Sequence, residues 1–161
     1  MHNFEELYGR LPEDIRKRLD TSEQDPHWHP EGFVVTHIKM VFEYADKHFS
    51  GDLDLLVCAI FHDMGKPDTQ QKFYSNGKVV KISNKGHENL AEKYIEKYFH
   101  LYSDITTNKE KVIAVCKNHM RAHLYTDKRM SNPNKRKVFE SHPYFKDIMN
   151  FSICDENYLK G

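Results

Sequence analysis

The stretch that most constrains this chain is Cys58-Ala59-Ile60-Phe61-His62-Asp63-Met64-Gly65-Lys66-Pro67. An unbroken apolar run, Leu55 to Phe61, stops at a histidine and an aspartate, and glycine, lysine and proline follow at once. Such a run reads as a buried helix from Leu53 to Asp63, with Asp52 as its N-cap. Its last turn then carries two metal-capable side chains into a cavity, and Gly65 and Pro67 turn the backbone out of the helix. The remaining question is whether other histidines and carboxylates converge on His62 and Asp63.

A chain of 161 residues fits a single domain with a core of useful size. Its formal net charge of zero gives no global pull toward nucleic acid or an anionic membrane, so neither a membrane nor a stable nucleic-acid partner is expected. No apolar stretch approaches the ~20 residues needed to cross a bilayer. The first residues, Met1-His2-Asn3-Phe4-Glu5-Glu6, lack a signal-peptide core. A soluble, cytoplasmic protein is expected. Cys58, Cys116 and Cys154 show no CxxC spacing and fall in apolar helical patterns, which predicts buried free thiols. The eleven histidines are the unusual entry in the composition, and their placement has to decide what they mean.

Most of the chain has helical periodicity. One or two short helices are expected over residues 3–20, and a polar loop over 21–30 carries His27, Trp28 and His29. Further helices are expected at 31–48, 53–63, 86–99, 108–123, 135–141 and 144–159. Between Lys72 and Ile82 two β-prone runs flank Asn76-Gly77, the signature of a hairpin. The fold class is therefore all-α with a small β-hairpin insertion. The whole of 1–161 is read as one domain, with 1–26 as an N-terminal helical extension and 27–161 as a metal-binding core.

Six residues stand out, most of them on inward-facing positions: His37, His62, Asp63, His87, His119 and Asp155. Taken singly, each has a bland alternative: a satisfied core histidine, an aspartate bound across a turn, or a surface residue at a helix start. Asp155 beside Glu156 could simply face solvent. Together they come from five helical stretches. An imidazole and carboxylate set suits Mn, Fe, Co or Ni, with Mg as an alternative. Six such groups exceed one closed zinc site and suit one or two divalent metals, with Asp63 as the bridge if there are two.

His37…His62-Asp63…Asp155 resembles the H…HD…D motif of the HD superfamily of metal-dependent phosphohydrolases. His87 and His119 resemble the extra histidines of its two-metal subset. The strings His29-Pro30-Glu31-Gly32 with Thr36-His37, His62-Asp63-Met64-Gly65-Lys66-Pro67, Gly86-His87-Glu88 and Asn118-His119-Met120 are most similar to the HD domain of bacterial tRNA nucleotidyltransferases. The likeness runs from about His29 to Asp155. The chain shows no nucleotidyltransferase head or tRNA-binding tail, so only the hydrolytic part of that chemistry is expected here. The five-prime-nucleotidase branch resembles it less, because Lys66 stands where that branch has glutamate.

The resemblance implies an HD-domain helical bundle and water activated by metal for attack on phosphorus. Catalytic roles are expected for Asp63, for Lys66 as the first phosphate contact and for Arg121 as the second. Lys72, Lys81 and Lys85 could form a phosphate-collecting rim or a solvated hairpin face. His27, His29 and His123 are candidates for support or proton transfer, and Tyr74 or Trp28 for stacking on a base. The implied substrate is a small phosphorylated molecule, a nucleotide or a 2′,3′-cyclic phosphate. The alternatives are a two-iron oxygenase of the same fold, a nucleoside triphosphate or cyclic-nucleotide hydrolase, and a non-catalytic nucleotide-binding module.

Overall fold

The computed structural model describes residues 2–161. Two short helices, α1 (Phe4–Gly9) and α2 (Glu13–Thr21), lead into the long α3 (Val34–His48). Next come α4 (Leu53–Phe61) and a single turn of helix, α5 (Lys66–Thr69). The strands β1 (Gln71–Ser75) and β2 (Lys78–Ser83) form an antiparallel hairpin before α6 (His87–Tyr98). Helices α7 (Lys109–Thr126), α8 (Pro133–Glu140) and α9 (Phe145–Asn157) complete the chain, with 3-10 turns at Phe99–Tyr102 and Tyr158–Lys160. No described helix is long and apolar enough to cross a membrane.

Helix α4 is the axis. Every residue from Leu55 to Phe61 is buried, because α3, α6, α7 and α9 pack around it. Asp52 caps its start, accepting the Leu55 amide at 3.2 Å. The expected helix runs two residues too far: α4 ends at Phe61, His62 is its C-cap, and Asp63 stands in the tight turn beyond. Gly65 and Pro67 do not simply release the chain. They start α5, where a proline in the first turn removes only an amide that had no helical partner.

The other boundaries follow the local chemistry. Asn76 and Gly77 both take positive φ, as a two-residue hairpin turn requires. Gly86 sits at φ +86 immediately before α6, and Asn108 caps α7 through the Lys111 amide. Helix α3 starts at Val34, later than the expected 31, because Gly32 lies at φ +94 and Phe33 is extended. The first two helices and the turn between them are part of the same core, supplying Phe4, Leu7, Leu11, Ile15 and Leu19. All three cysteines are buried and free.

Gly65 shows how tightly the turn after α4 is pressed against α6. A Cβ there would meet the His87 carbonyl oxygen at 2.6 Å and the Leu90 Cβ at 2.8 Å. One neighbour is a main-chain atom and the other is bonded directly to the main chain, so neither can swing aside. Gly65→Ala is therefore expected to destabilise the fold by about 2 kcal/mol through overpacking, measured as a lower urea midpoint. An unchanged midpoint would mean that the α4–α6 approach is looser than described.

Candidate metal centre

Five helices bring the six singled-out residues together. His37 comes from α3, His62 and Asp63 from the end of α4, His87 from the start of α6, His119 from α7 and Asp155 from α9. All are buried, none more than 9% exposed. All but His62, which lies behind them, line an open cavity of about 1000 Å³.

Asp63 divides the group. Its Oδ2 lies 3.2 Å from the Nε2 atoms of both His37 and His62, and 3.0 Å from Lys66 Nζ. Its Oδ1 lies 3.1 Å from His87 Nε2 and 3.5 Å from His119 Nε2. Asp155 Oδ1 closes the first set at 2.9 Å from His37 Nε2 and 3.4 Å from His62 Nε2. The two sets, His37 with His62 and Asp155, and His87 with His119 and Asp63, each have the spacing to hold an ion.

The outer nitrogens explain why the inner ones face one another. The Nδ1 atoms of His62, His87 and His119 each contact the backbone carbonyl three residues earlier, Ala59 at 2.8 Å, Asn84 at 2.8 Å and Cys116 at 2.6 Å. A carbonyl only accepts, so each Nδ1 carries its hydrogen and donates it, which leaves Nε2 facing inward with a lone pair wherever the ring is neutral. His37 Nδ1 is held at 3.2 Å by Glu31 Oε1. The result is two Nε2–Nε2 contacts, 3.1 Å for His87–His119 and 3.3 Å for His62–His37. Lone pairs that close need a cation or proton between them. Asp63 Oδ2 lies among these inward nitrogens and Lys66 Nζ yet makes no well-aligned hydrogen bond. An orphaned buried carboxylate oxygen among converging imidazole nitrogens fits a divalent metal.

Charge in the cluster is distributed accordingly. Burial works against an ionised Asp63, but His62 and Lys66 outweigh it and hold its carboxyl well below the usual range. Asp155 follows the same pattern through His62, His123 and His37. Burial would lower His62 as well, yet Asp63 and Asp155 raise it well above an ordinary imidazole. His119 goes the other way, lowered chiefly by burial. In the metal-free protein, a proton on His62 thus offsets part of the carboxylate charge.

The expected supporting residues divide. Lys66 is buried at the cavity, with Nζ 2.6 Å from Gln24 Oε1. His123 bonds Asp155 Oδ2 at 2.8 Å and Glu156 at 2.9 Å; burial depresses it, but the two carboxylates lift it to about 10. His29 contacts Glu31 at 3.0 Å, whereas His27 is exposed outside the cavity. Arg121 also lies outside it, exposed on α7 over a neighbouring groove, so it is not placed to touch a phosphate at the cluster. Of Lys72, Lys81 and Lys85 only Lys85, in the turn between the hairpin and α6, reaches the cavity lining; Trp28 does too, while Tyr74 does not.

Four contributors were not singled out from the sequence. Glu31, its side chain 3% exposed, gathers His29, His37, Gln24 and the Tyr158 hydroxyl at 2.8 Å. Gln24 joins Glu31 to Lys66. Asn84 lines the cavity and carries the other buried oxygen without a partner. Glu31 lay inside the His29-Pro30-Glu31-Gly32 string, which was the available signal. Gln24, Asn84 and Tyr158 sit in no such pattern.

The chain belongs to the HD domain family, which it matches over residues 34–141, and members of this family are in general metal-dependent hydrolases. No curated protein and no solved structure matches the chain. The family match takes in His37, His62, Asp63, His87 and His119; Asp155 lies beyond it and is brought to the cluster by the packing of α9.

Glu31 is the acceptor on which several buried donors depend. Glu31→Ala would strand His37 Nδ1 and the Tyr158 hydroxyl together. The expected cost is roughly 3 kcal/mol of stability, read from equilibrium urea unfolding. A loss under about 0.5 kcal/mol would show that these donors find water instead.

Proposed function

We propose that the chain is a metal-dependent phosphohydrolase acting on nucleotides or related small phosphoesters. The observation that carries this reading is the Asp63 carboxylate, with one oxygen facing His37 and His62 and the other facing His87 and His119. That arrangement supports two metals sharing Asp63. His37, His62 and Asp155 would hold one, and His87 and His119 the other. Mn, Fe, Co or Ni suit the mixed donors. A metal bound there supplies Lewis acidity toward a phosphoryl group and makes water a competent nucleophile near neutral pH.

The chain's own residues supply the rest. The three backbone carbonyls and Glu31 keep the rings in one tautomer and one orientation, so little reorganisation remains when substrate arrives. Of the three N–H donors on Lys66, Gln24 takes one and Asp63 lies beside another, which leaves a third for a phosphoryl oxygen. The unpartnered Asn84 oxygen offers an acceptor for a substrate hydroxyl. His123, held by Asp155 and Glu156, fixes the orientation of Asp155. The sequence strings shared with the HD domain of bacterial tRNA nucleotidyltransferases support 2′,3′-cyclic phosphates as the first substrates to try.

Metal analysis of protein purified without chelators is expected to find a transition metal. Asp63→Ala should lower its stoichiometry and reduce hydrolysis of bis-p-nitrophenyl phosphate and 2′,3′-cyclic nucleotides by at least about 10³-fold. Full metal content in that variant would remove Asp63 as a shared ligand. Anaerobically purified protein that consumes O₂ with a substrate, and hydrolyses none of this panel, would replace the hydrolase reading with an oxygenase.

Lys66→Met separates phosphate contact from metal binding. It keeps the side-chain length and removes the charge. A loss of about 10²-fold in kcat/KM with metal content intact is the expected outcome. Equal loss of metal would instead make Lys66 a support for Asp63.

A further inference from the structure

The zero net charge conceals an uneven distribution. Residues 117–139 contain seven lysines and arginines and one acidic residue, Asp127. They form the second half of α7, the loop after it and most of α8. A groove of about 570 Å³ opens in this region, lined by Arg121, Arg129 and Lys135 together with Leu124 and Val138. Arg129 lines the metal cavity as well, so the two hollows adjoin.

The groove is preformed and only partly neutralised. Arg136 donates to the carbonyls of Tyr125 and Met130 and stands 4.1 Å from the Tyr125 ring centroid, which ties the loop down. Arg129 pairs with Asp127, whereas Arg121 and Lys135 have no ion-pair partner among the described residues. Leu124 and Val138 remain 41% and 70% exposed between these cations. Cations alternating with open apolar surface match a nucleotide, with phosphate for the charge and sugar or base for the apolar faces. A volume of this size accommodates a single nucleotide unit. At the mouth of the adjoining cavity Trp28 is 72% exposed, a second surface on which a base can stack.

We propose that this groove is a subsite for the nucleotide next to the one whose phosphoester is hydrolysed, so that the substrate is a short single-stranded oligonucleotide. The proposal rests on the phosphohydrolase reading of the adjoining centre and narrows its substrate class. It also gives a role to Arg121, which lines this groove and not the metal cavity.

Fluorescence anisotropy on the protein as purified tests it, using ten-nucleotide phosphorothioate-linked strands with ribose and with deoxyribose backbones, against a mononucleotide. The better strand is expected to bind at least about 100-fold more tightly than the mononucleotide. Arg121→Ala with Lys135→Ala should weaken strand binding about tenfold and lower the dependence of log Kd on log salt by about 1.4, the value for two phosphate contacts on a single strand. Val138→Glu, at an open position that leaves the core intact, should weaken the strand comparably. Equal affinity for strand and mononucleotide would overturn the proposal. So would unchanged affinity and salt slope in the variants, or inorganic polyphosphate competing as well as the strand. Binding is read without turnover. Strand binding by a protein that hydrolyses nothing refutes the hydrolase reading, while mononucleotide hydrolysis without strand binding refutes the subsite.

Discussion

The structure depends on one buried carboxylate. Asp63 is 2% exposed at the end of the most apolar helix in the chain. An ionised group in such a place is intolerable without opposing charge, since its desolvation costs far more than one weak contact returns. Four imidazoles and a lysine therefore surround it, and they reach it from α3, α4, α5, α6 and α7. Helices α3, α6 and α7 also pack on α4, so the core and the charged cluster demand the same arrangement. The close passage of α6 over Gly65 belongs to that arrangement, because it brings His87 to the second oxygen of Asp63.

The histidines are held by a device that recurs. At His62, His87 and His119 the ring nitrogen away from the cluster meets the carbonyl three residues earlier. Two of these carbonyls belong to helical turns and the third to the turn that starts α6. The acceptor is main chain and costs no extra side chain, and it sets both tautomer and ring direction. His37 lacks it and relies on Glu31, itself gripped by Tyr158 and Gln24. One half of the cluster is thus braced by the main chain alone. The other half depends on a side-chain network that includes the chain's final turn.

Much of this was legible in the sequence because the signals were local. The apolar run before His62-Asp63, the Asn76-Gly77 turn and the caps at Asp52 and Asn108 each act over a few residues, and the helices and hairpin appear where those signals lie. Helix ends were less legible. Gly32 at positive φ and the extended Phe33 delay α3, and neither is visible in an apolar period. The six buried His and Asp residues could be picked out because polar groups on apolar stripes are conspicuous. Gln24, Asn84 and Tyr158 are polar residues in polar surroundings, and only packing reveals that they point inward. Arg121 shows the opposite failure. It lies two residues after His119, but two residues along a helix turn through about 200°, slightly more than half a turn, so the two side chains leave α7 in different directions.

The same long-range closure bears on how the site forms. His37 and Asp155 are separated by 118 positions, and His123 joins Asp155 to α7 across another 32. Such contacts become available only after α3, α4 and α7 are packed and α9 has docked. Until then Asp63 and His62 would be paired with water or with each other. A divalent metal binding the completed cluster stabilises the closed arrangement over any form with α9 undocked, by mass action on the folded state alone. The C-terminal helix is consequently both a core element, through Ile148 and Phe151, and the closing piece of the charged site. Packing of α9 and closure of the charged cluster are coupled through Asp155, whose second oxygen is braced by His123.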